Sequence, residues 1–236
     1  MGASSGMGEA VARYLLADGY QVGLCARRLE PLQRLTEAYP QQTFVKQIDV
    51  TMPEAVGQLT ALIEAMGGID LYFHASGIGK QNPDLELGIE LNTVETNAMG
   101  FTRMIDTVFN IMRVRGGGHI AAISSIAGTK GLSRAPSYSA TKAYQNTYLQ
   151  ALDQLSQSAH LNICITDIRP GFVDTPLIEG SNFPMLIAVE AAAKQIYEAV
   201  KKRKRVAVID GRYRVLVALW RCIPNWLWRK INLLKA

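Results

Sequence analysis

The sequence predicts a doubly wound α/β fold, a parallel sheet with helices on both faces in three α/β/α layers. Apolar β-branched runs alternate with segments of helical period from the first residues to about position 210, the pattern of successive βαβ units. The chain has 236 residues, 48% of them apolar and 19% charged, which suits one core large enough to fold alone. No stretch is dominated by one or two residue types, so repeats and disorder are disfavoured.

Strands are expected near 20–26, 43–50, 69–75, 118–124, 161–168 and 205–210. Helices are expected near 7–18, 29–39, 53–66, 90–114, 137–159 and 189–202. Pro31 and Pro53 stand at early helical positions, where the missing N–H costs little. Residues 1–210 are assigned to one domain and 211–236 to a basic, Trp-rich tail.

Charge separates the two parts. Residues 1–200 carry 14 Lys+Arg against 19 Asp+Glu, a balance of −5, whereas 201–236 carry 11 against 1, a balance of +10. All three tryptophans, Trp220, Trp226 and Trp228, lie in the tail. Cys25, Cys164 and Cys222 have neither zinc spacing nor an even count for a disulfide framework, which fits a reducing cytoplasm. The first residues have neither the basic nor the apolar stretch of a signal peptide and no run approaches a membrane span, so neither secretion nor membrane insertion is expected. His74, His119 and His160 have no clustered partners, so no metal site is expected.

Gly2, Gly6 and Gly8, with Ser4, Ser5 and Met7 between them, form a G-x-x-x-G-x-G turn before an apolar helical segment. Closely spaced glycines admit a phosphate to the backbone, and the following helix N-terminus offers it free N–H groups and partial positive charge. Downstream, Asn97 opens Asn-x-x-Gly, Ser125 precedes Tyr138 by thirteen residues, and Tyr138-Ser-Ala-Thr-Lys142 lies in a helical segment. Pro170-Gly-Phe-Val-Asp-Thr175 follows a strand. On a helix, Tyr138 and Lys142 share a face, and an adjacent ammonium favours the phenolate, lowering the tyrosine toward working pH.

In this order the motifs resemble the short-chain dehydrogenase/reductase family, whose hallmarks are T-G-x-x-x-G-x-G, N-N-A-G, a lone Asn, a Ser, Y-x-x-x-K and P-G-x-V-x-T. The resemblance spans residues 2 to about 210. It implies a Rossmann-like sheet and an oxidoreductase that interconverts a ketone or aldehyde with an alcohol by hydride transfer. It also implies that Tyr138 is the general acid/base, that Ser125 hydrogen-bonds the carbonyl oxygen, and that Lys142 holds the nicotinamide ribose. Asn97 would position a water linking the lysine to solvent. Asp49 and Val50 match the adenine-contacting pair, and Ala75, Ser76 and Gly77 line the cofactor. Pro170, Gly171, Val173 and Thr175 complete the contacts, Thr175 at the nicotinamide carboxamide.

Other assignments stay open on the residues alone. Tyr144 and Tyr148 share the helix of Tyr138, Ser124 competes with Ser125, Asn97 fits a helix kink or cap, and Thr175 fits the cap of the next segment. Where an acidic residue about 20 positions past the glycine turn would select NAD, the strand ends Cys25-Ala26-Arg27-Arg28. A guanidinium at Arg27 suits a 2′-phosphate, which points to NADP(H) over NAD(H). Solvated arginines opening the next helix are the alternative.

Two departures from the family stand out. Met1 occupies the position of the family's threonine, so the first, central strand is absent from the chain as given, leaving two strand edges open in mid-sheet. The expectation is a misplaced start or a trimmed chain. N-N-A-G is replaced by His74-Ala75-Ser76-Gly77.

Substrate is expected over 77–89, 126–137 and 172–189. The last holds Phe172, Leu177, Ile178, Phe183, Met185, Leu186 and Ile187, either a lid over a lipophilic carbonyl compound or packing residues. The family forms homodimers and homotetramers through the long helices, here 90–114 and 137–159. The tail either packs on the body after a last strand or lies peripherally on the inner face of an anionic membrane. Nucleic acid is not expected, since no recognition motif accompanies the charge. The rival function is a catalytically silent dinucleotide sensor or scaffold held at a membrane by the tail.

Overall fold

Residues 1–178 and 183–231 are described by the computed structural model. Part of the 172–189 loop, residues 179–182, and the end of the tail, 232–236, lie outside the described residues.

The chain runs α1 (Gly6–Ala17), β1 (Val22–Ala26), α2 (Glu30–Ala38), β2 (Thr43–Gln47), α3 (Ala55–Ala65), β3 (Leu71–His74), α4 (Leu87–Val94), α5 (Phe101–Arg115), β4 (Gly118–Ile123), α6 (Pro136–Ser158), β5 (Ile163–Arg169), α7 (Val189–Lys201), β6 (Val206–Val208), α8 (Gly211–Arg221) and α9 (Asn225–Trp228). All strand pairs are parallel, in two groups ordered β1-β2 and β3-β4-β5-β6. Strand β4 is central in the larger group, with Ala122 opposite both His74 and Asp167. Its Ile120, Ala121 and Ala122 are fully buried, as expected of a strand covered on both faces.

Between β1 and β3 lie the first three residues. The amides of Gly2 and Ala3 donate to the Cys25 carbonyl at 2.7 and 3.1 Å. The Met1 amine donates to the Phe73 carbonyl (2.9 Å), and the Ala75 amide donates to Met1 (2.9 Å). Met1–Ala3 thus ties the C-terminal ends of both strand groups together, and the glycine-rich turn starts from that junction.

The two larger of three apolar cores follow from the helix faces. On one side Phe101, Met104, Ile105, Val108 and Met112 of α5 recur every three or four residues and pack with Ile63 of α3 and Leu149 of α6. On the other, Val11 and Leu15 of α1 meet Ile196 and Val200 of α7 and Tyr213, Val217 and Trp220 of α8. Each large apolar side chain so buried stabilises the fold by ~1.5–3 kcal/mol.

Most expected elements shift by a residue or two, so that α3 begins at Ala55 and leaves Pro53 in the preceding turn, and three differ for an evident local reason. The helix expected over 90–114 is split into α4 and α5 by a π-helical turn at Glu95–Gly100. The turn is held by Asn97, whose side chain is committed to a loop outside the helix, and by Gly100, where a β-carbon would lie 2.8 Å from Val50 Cγ2. The strand expected over 43–50 leaves regular pairing after Gln47, although the Ile48 amide still reaches the Ala26 carbonyl at 3.0 Å. The strand expected over 205–210 ends at Val208, because Asp210 takes a left-handed φ of +71° and accepts from the Arg212 amide (2.8 Å) to cap α8. The tail expected from 211 therefore begins at a helix start rather than at a gap in packing.

Candidate active site

The glycine-rich turn is shaped by contacts that exclude side chains. Gly2 has a φ of +84°, and a β-carbon there would lie 2.6 Å from the Ser76 nitrogen. At Gly8 it would lie 2.1 Å from the Gly2 carbonyl oxygen and 3.0 Å from the Ala75 β-carbon. Gly6 faces Thr175, whose methyl would be 3.2 Å away. Ser5 precedes α1 in extended backbone and makes no side-chain cap, so its hydroxyl does not consume the helix's free N–H groups. The turn, 75–77 and Thr175 therefore meet at one place. A narrow, backbone-lined cradle beside an uncapped helix start fits the diphosphate of a dinucleotide.

The same 75–77 segment leads to the polar cluster. A β-carbon at Gly77 would sit 3.4 Å from Asn97 Oδ1 and 3.5 Å from Lys142 Nζ. Lys142 lies on α6 and is buried, donating to the Ile123 carbonyl (3.2 Å) and to Gln145 Oε1 (2.9 Å). Burial lowers its amine to about 8, with the Asp167 carboxylate opposing the shift. Tyr138, one turn earlier, has its ring 5.7 Å from that amine and its hydroxyl bonded to Ser125. Ser125 Oγ also accepts from the Ala127 amide (3.0 Å), which orients it. Ser124 turns the other way, donating to Asp167 and to the Ile168 carbonyl. Tyr144 stacks on Tyr148 and bonds Thr102 at 2.6 Å, away from this cluster.

Two expectations about proton handling change. The phenol of Tyr138 is raised, not lowered: burial pushes it up and the Ser125 bond pulls it down by less. The lysine does not reverse this, because its amine is aimed at Ile123 and Gln145. Asn97 is also occupied. Its Oδ1 accepts from the Ile78 amide (2.9 Å) and its Nδ2 donates to the Ile78 carbonyl (2.7 Å), clamping the 77–79 loop. The link from lysine to the Asn97 backbone runs through an amide side chain: Gln145 Nε2 donates to the Asn97 carbonyl at 2.8 Å while Oε1 accepts from Lys142.

The two arginines after β1 diverge. The Arg28 guanidinium reaches Ser4 Oγ (3.5 Å) and Ser5 Oγ (3.4 Å), above the glycine turn. Arg27 instead borders a cavity of about 270 Å³ with Gln47, Asp49 and Met52. Asp49 Oδ1 accepts from the amide and hydroxyl of Thr51, and the Val50 carbonyl accepts from Arg103 (2.5 Å). Of the pair, Arg28 is the one placed against the turn.

Pro170 accepts from the Ile126 amide, joining its loop to the one that carries Ser125. Gly171 is filled by the tail, since a β-carbon there would lie 2.3 Å from the Tyr213 ring. The Tyr213 hydroxyl donates to the carbonyls of Pro184 and Met185 at 3.2 and 3.1 Å, and Phe172 stacks on Phe183 with centroids 4.1 Å apart. Val173 bridges Ile187. Phe172, Phe183 and Ile187 are thus packing residues, while Leu177, Met185 and Leu186 remain exposed. A second cavity, of about 710 Å³, lies between the 128–133 loop, the start of α6 and Trp228.

Four features are legible only here. Gln145 follows Lys142 by three positions, so helical spacing put it on the lysine's face. Asp167 and Arg169 form a buried ion pair (2.6 Å), and two charges at period two in an apolar strand were its signal. Gly79 admits the Tyr138 ring, with a β-carbon 2.7 Å from Cε2. Nothing local announced the reach of Tyr213. His74 is buried, pairs with the Tyr72 hydroxyl (3.1 Å) and is held neutral by burial, which lowers it to about 3.

Comparison with known proteins gives the following. The family model described as short chain dehydrogenase matches residues 1–184. An uncharacterized oxidoreductase of Mycobacterium tuberculosis is 32% identical over 240 residues, covering 97% of this chain and 94% of that one. One of Myxococcus xanthus is 34% identical over 195 residues, covering 80% and 76%. Among solved structures, a short chain dehydrogenase from Burkholderia cenocepacia in complex with NADP has a TM-score of 0.83 at 21% identity, covering 99% and 95%. A 3-ketoacyl-ACP reductase from Sinorhizobium meliloti has a TM-score of 0.78 at 25% identity, covering 91% and 97%.

Proposed function

Since the chain belongs to the short-chain dehydrogenase family of oxidoreductases, we propose that it is an NADP(H)-dependent enzyme interconverting a ketone or aldehyde with an alcohol. The observation that carries this is the 75–77 segment, which touches Gly2 and Gly8 on one side and Asn97 and Lys142 on the other. On this reading a diphosphate cradle and a proton-handling cluster would share a single short stretch of backbone.

Gly2, Gly6 and Gly8 would hold the diphosphate, with Ser4, Ser5 and Met7 shaping the turn, and Arg28, backed by Arg27, the 2′-phosphate. Asp49 and Val50 would border the adenine, and Lys142, Pro170, Val173 and Thr175 the nicotinamide half. When bound, the nicotinamide supplies or accepts the hydride. The chain's own residues handle the oxygen and its proton. Ser125 donates to the carbonyl oxygen, stabilising charge that develops there. Tyr138, kept protonated by burial, gives its proton to that oxygen, and the Lys142 ammonium stabilises the phenolate left behind.

The apolar side chains Leu177, Met185 and Leu186 near the 172–189 loop favour a lipophilic substrate. Exposed Leu87 and Leu91 on α4 and Tyr144 and Leu155 on α6 favour a homodimer or homotetramer built on these helices. Three free cysteines, one of them exposed, favour a cytoplasmic location. No helix among the described residues is long and apolar enough to cross a membrane.

The test is a parallel titration with NADPH and NADH by nicotinamide fluorescence, followed by a screen of carbonyl compounds. Tighter binding of NADPH is the expected result. Binding of neither coenzyme overturns the assignment for this chain.

A further inference from the structure

The tail has an inner and an outer face of different chemistry. On α8, Tyr213, Val217 and Trp220 are buried in the core, and on α9 the Trp228 indole turns inward, donating to the Gly131 carbonyl at 2.7 Å. Trp220 and Trp228 meet edge to face with centroids 5.7 Å apart. The opposite side of α8 exposes Val215 and Leu219 by 61% and 65%, one turn apart, and α9 exposes Trp226 by 64%. By helical angle Arg212 lies beside that apolar stripe, while Arg214 and Arg221 lie on the flank of the helix between the stripe and the buried face. Lys230 lies 5.8 Å over the Trp226 ring.

The surrounding charge selects the partner. Three of the five cations in the basic run before the tail pair with the body: Lys201 with Asp18, Lys202 with Glu198 and Arg205 with Asp153. From Gly211 onward there are six Lys+Arg and no Asp or Glu. Among the described residues no carboxylate pairs with Arg214, Arg221, Arg229 or Lys230. A second copy docked here about a two-fold axis would set cations against cations. The exposed apolar side chains of α4 carry Glu90 and Glu95 beside them and suit self-association better. An apolar stripe with a protruding tryptophan and a cationic rim fits the headgroup layer of a bilayer. We propose that α8 and α9 seat the protein on an anionic membrane surface, with Val215, Leu219 and Trp226 entering the interface and Arg214, Arg221, Arg229 and Lys230 meeting lipid headgroups.

The test uses the full chain with vesicles of phosphatidylcholine, either alone or with about one third phosphatidylserine, in low salt. Co-sedimentation with the anionic vesicles only, weakened by added salt, is expected, together with a blue shift of tryptophan emission that Trp226→Phe removes. Leu219→Glu should abolish sedimentation, and Arg221→Gln with Arg229→Gln should weaken it about 30-fold, without changing thermal midpoint or oligomeric state. Three results overturn the proposal: no sedimentation with anionic vesicles, equal sedimentation with neutral ones, or binding of duplex DNA without binding of vesicles. A change of oligomeric state in Leu219→Glu with vesicle binding intact overturns it in favour of a second copy. Because the assay reads neither coenzyme nor turnover, its outcome is independent of the oxidoreductase assignment.

Discussion

Lys142 and Arg221 carry the same charge in opposite surroundings. The lysine is 4% exposed, its amine donates to named oxygens, and burial brings it down to about 8. The arginine is exposed at the C-terminal end of α8, in a segment without acidic residues. A cation withdrawn from water acts through one contact at a time and its protonation becomes part of the fold. A cation left in water acts through the summed field, which salt screens within about 8–10 Å.

The largest effect that would test this contrast is at the buried cluster. Tyr138→Phe removes only the hydroxyl, so turnover should fall by about 10²–10⁴ while coenzyme still binds. Retained turnover would move the acid/base role elsewhere. Lys142 should leave its mark on stability. Its amine is depressed in the fold, so the unfolded chain binds more protons above pH 8 and stability should rise by about 2 kcal/mol between pH 8 and 10. Denaturant midpoints across that range should show the rise in the native chain and lose it in Lys142→Met.

Gln145→Leu removes the side-chain partner of the Asn97 carbonyl and leaves the Lys142 amine with the Ile123 carbonyl alone, at a cost of ~1–3 kcal/mol. An unchanged thermal midpoint would show that the amide is not the link it appears in the geometry. Arg28→Ala should weaken NADPH by about tenfold and leave NADH unchanged, the scale of a charge-assisted hydrogen bond. An equal loss of both coenzymes would assign Arg28 to shaping the turn. The smallest effect lies on the surface: Arg221→Gln should alter stability by less than ~0.5 kcal/mol and leave turnover unchanged. A larger loss would mean that the outer face of α8 is part of the fold after all.

Legibility followed the range of the interactions. Tyr138, Lys142 and Ser125 were readable because helical spacing and a short loop bring them together, and the structure places them in contact. The split of the long helix at Asn97 was not, because its cause is a pair of bonds to Ile78, nineteen residues earlier. Arg27 and Arg28 are adjacent in the chain, and only the course of the backbone after β1 sends Arg28 toward Ser4 and Ser5. The direction of the Tyr138 shift was also misjudged, since adjacency to a lysine says nothing of how deeply both are buried.

Periodicity was enough to predict the α/β alternation, which depends on backbone geometry within a few residues, while the glycine spacing and the ordered polar motifs together carried the family resemblance that pointed to the site. Packing over long separations settled the rest. Tyr213 fills the space beside Gly171 and pins Pro184 and Met185, Gln145 joins Lys142 to Asn97, and α8 divides the tail into a buried face and an exposed one. Apart from the Lys142–Gln145 pair, which helical spacing sets, these contacts join groups that meet only once the layers have closed.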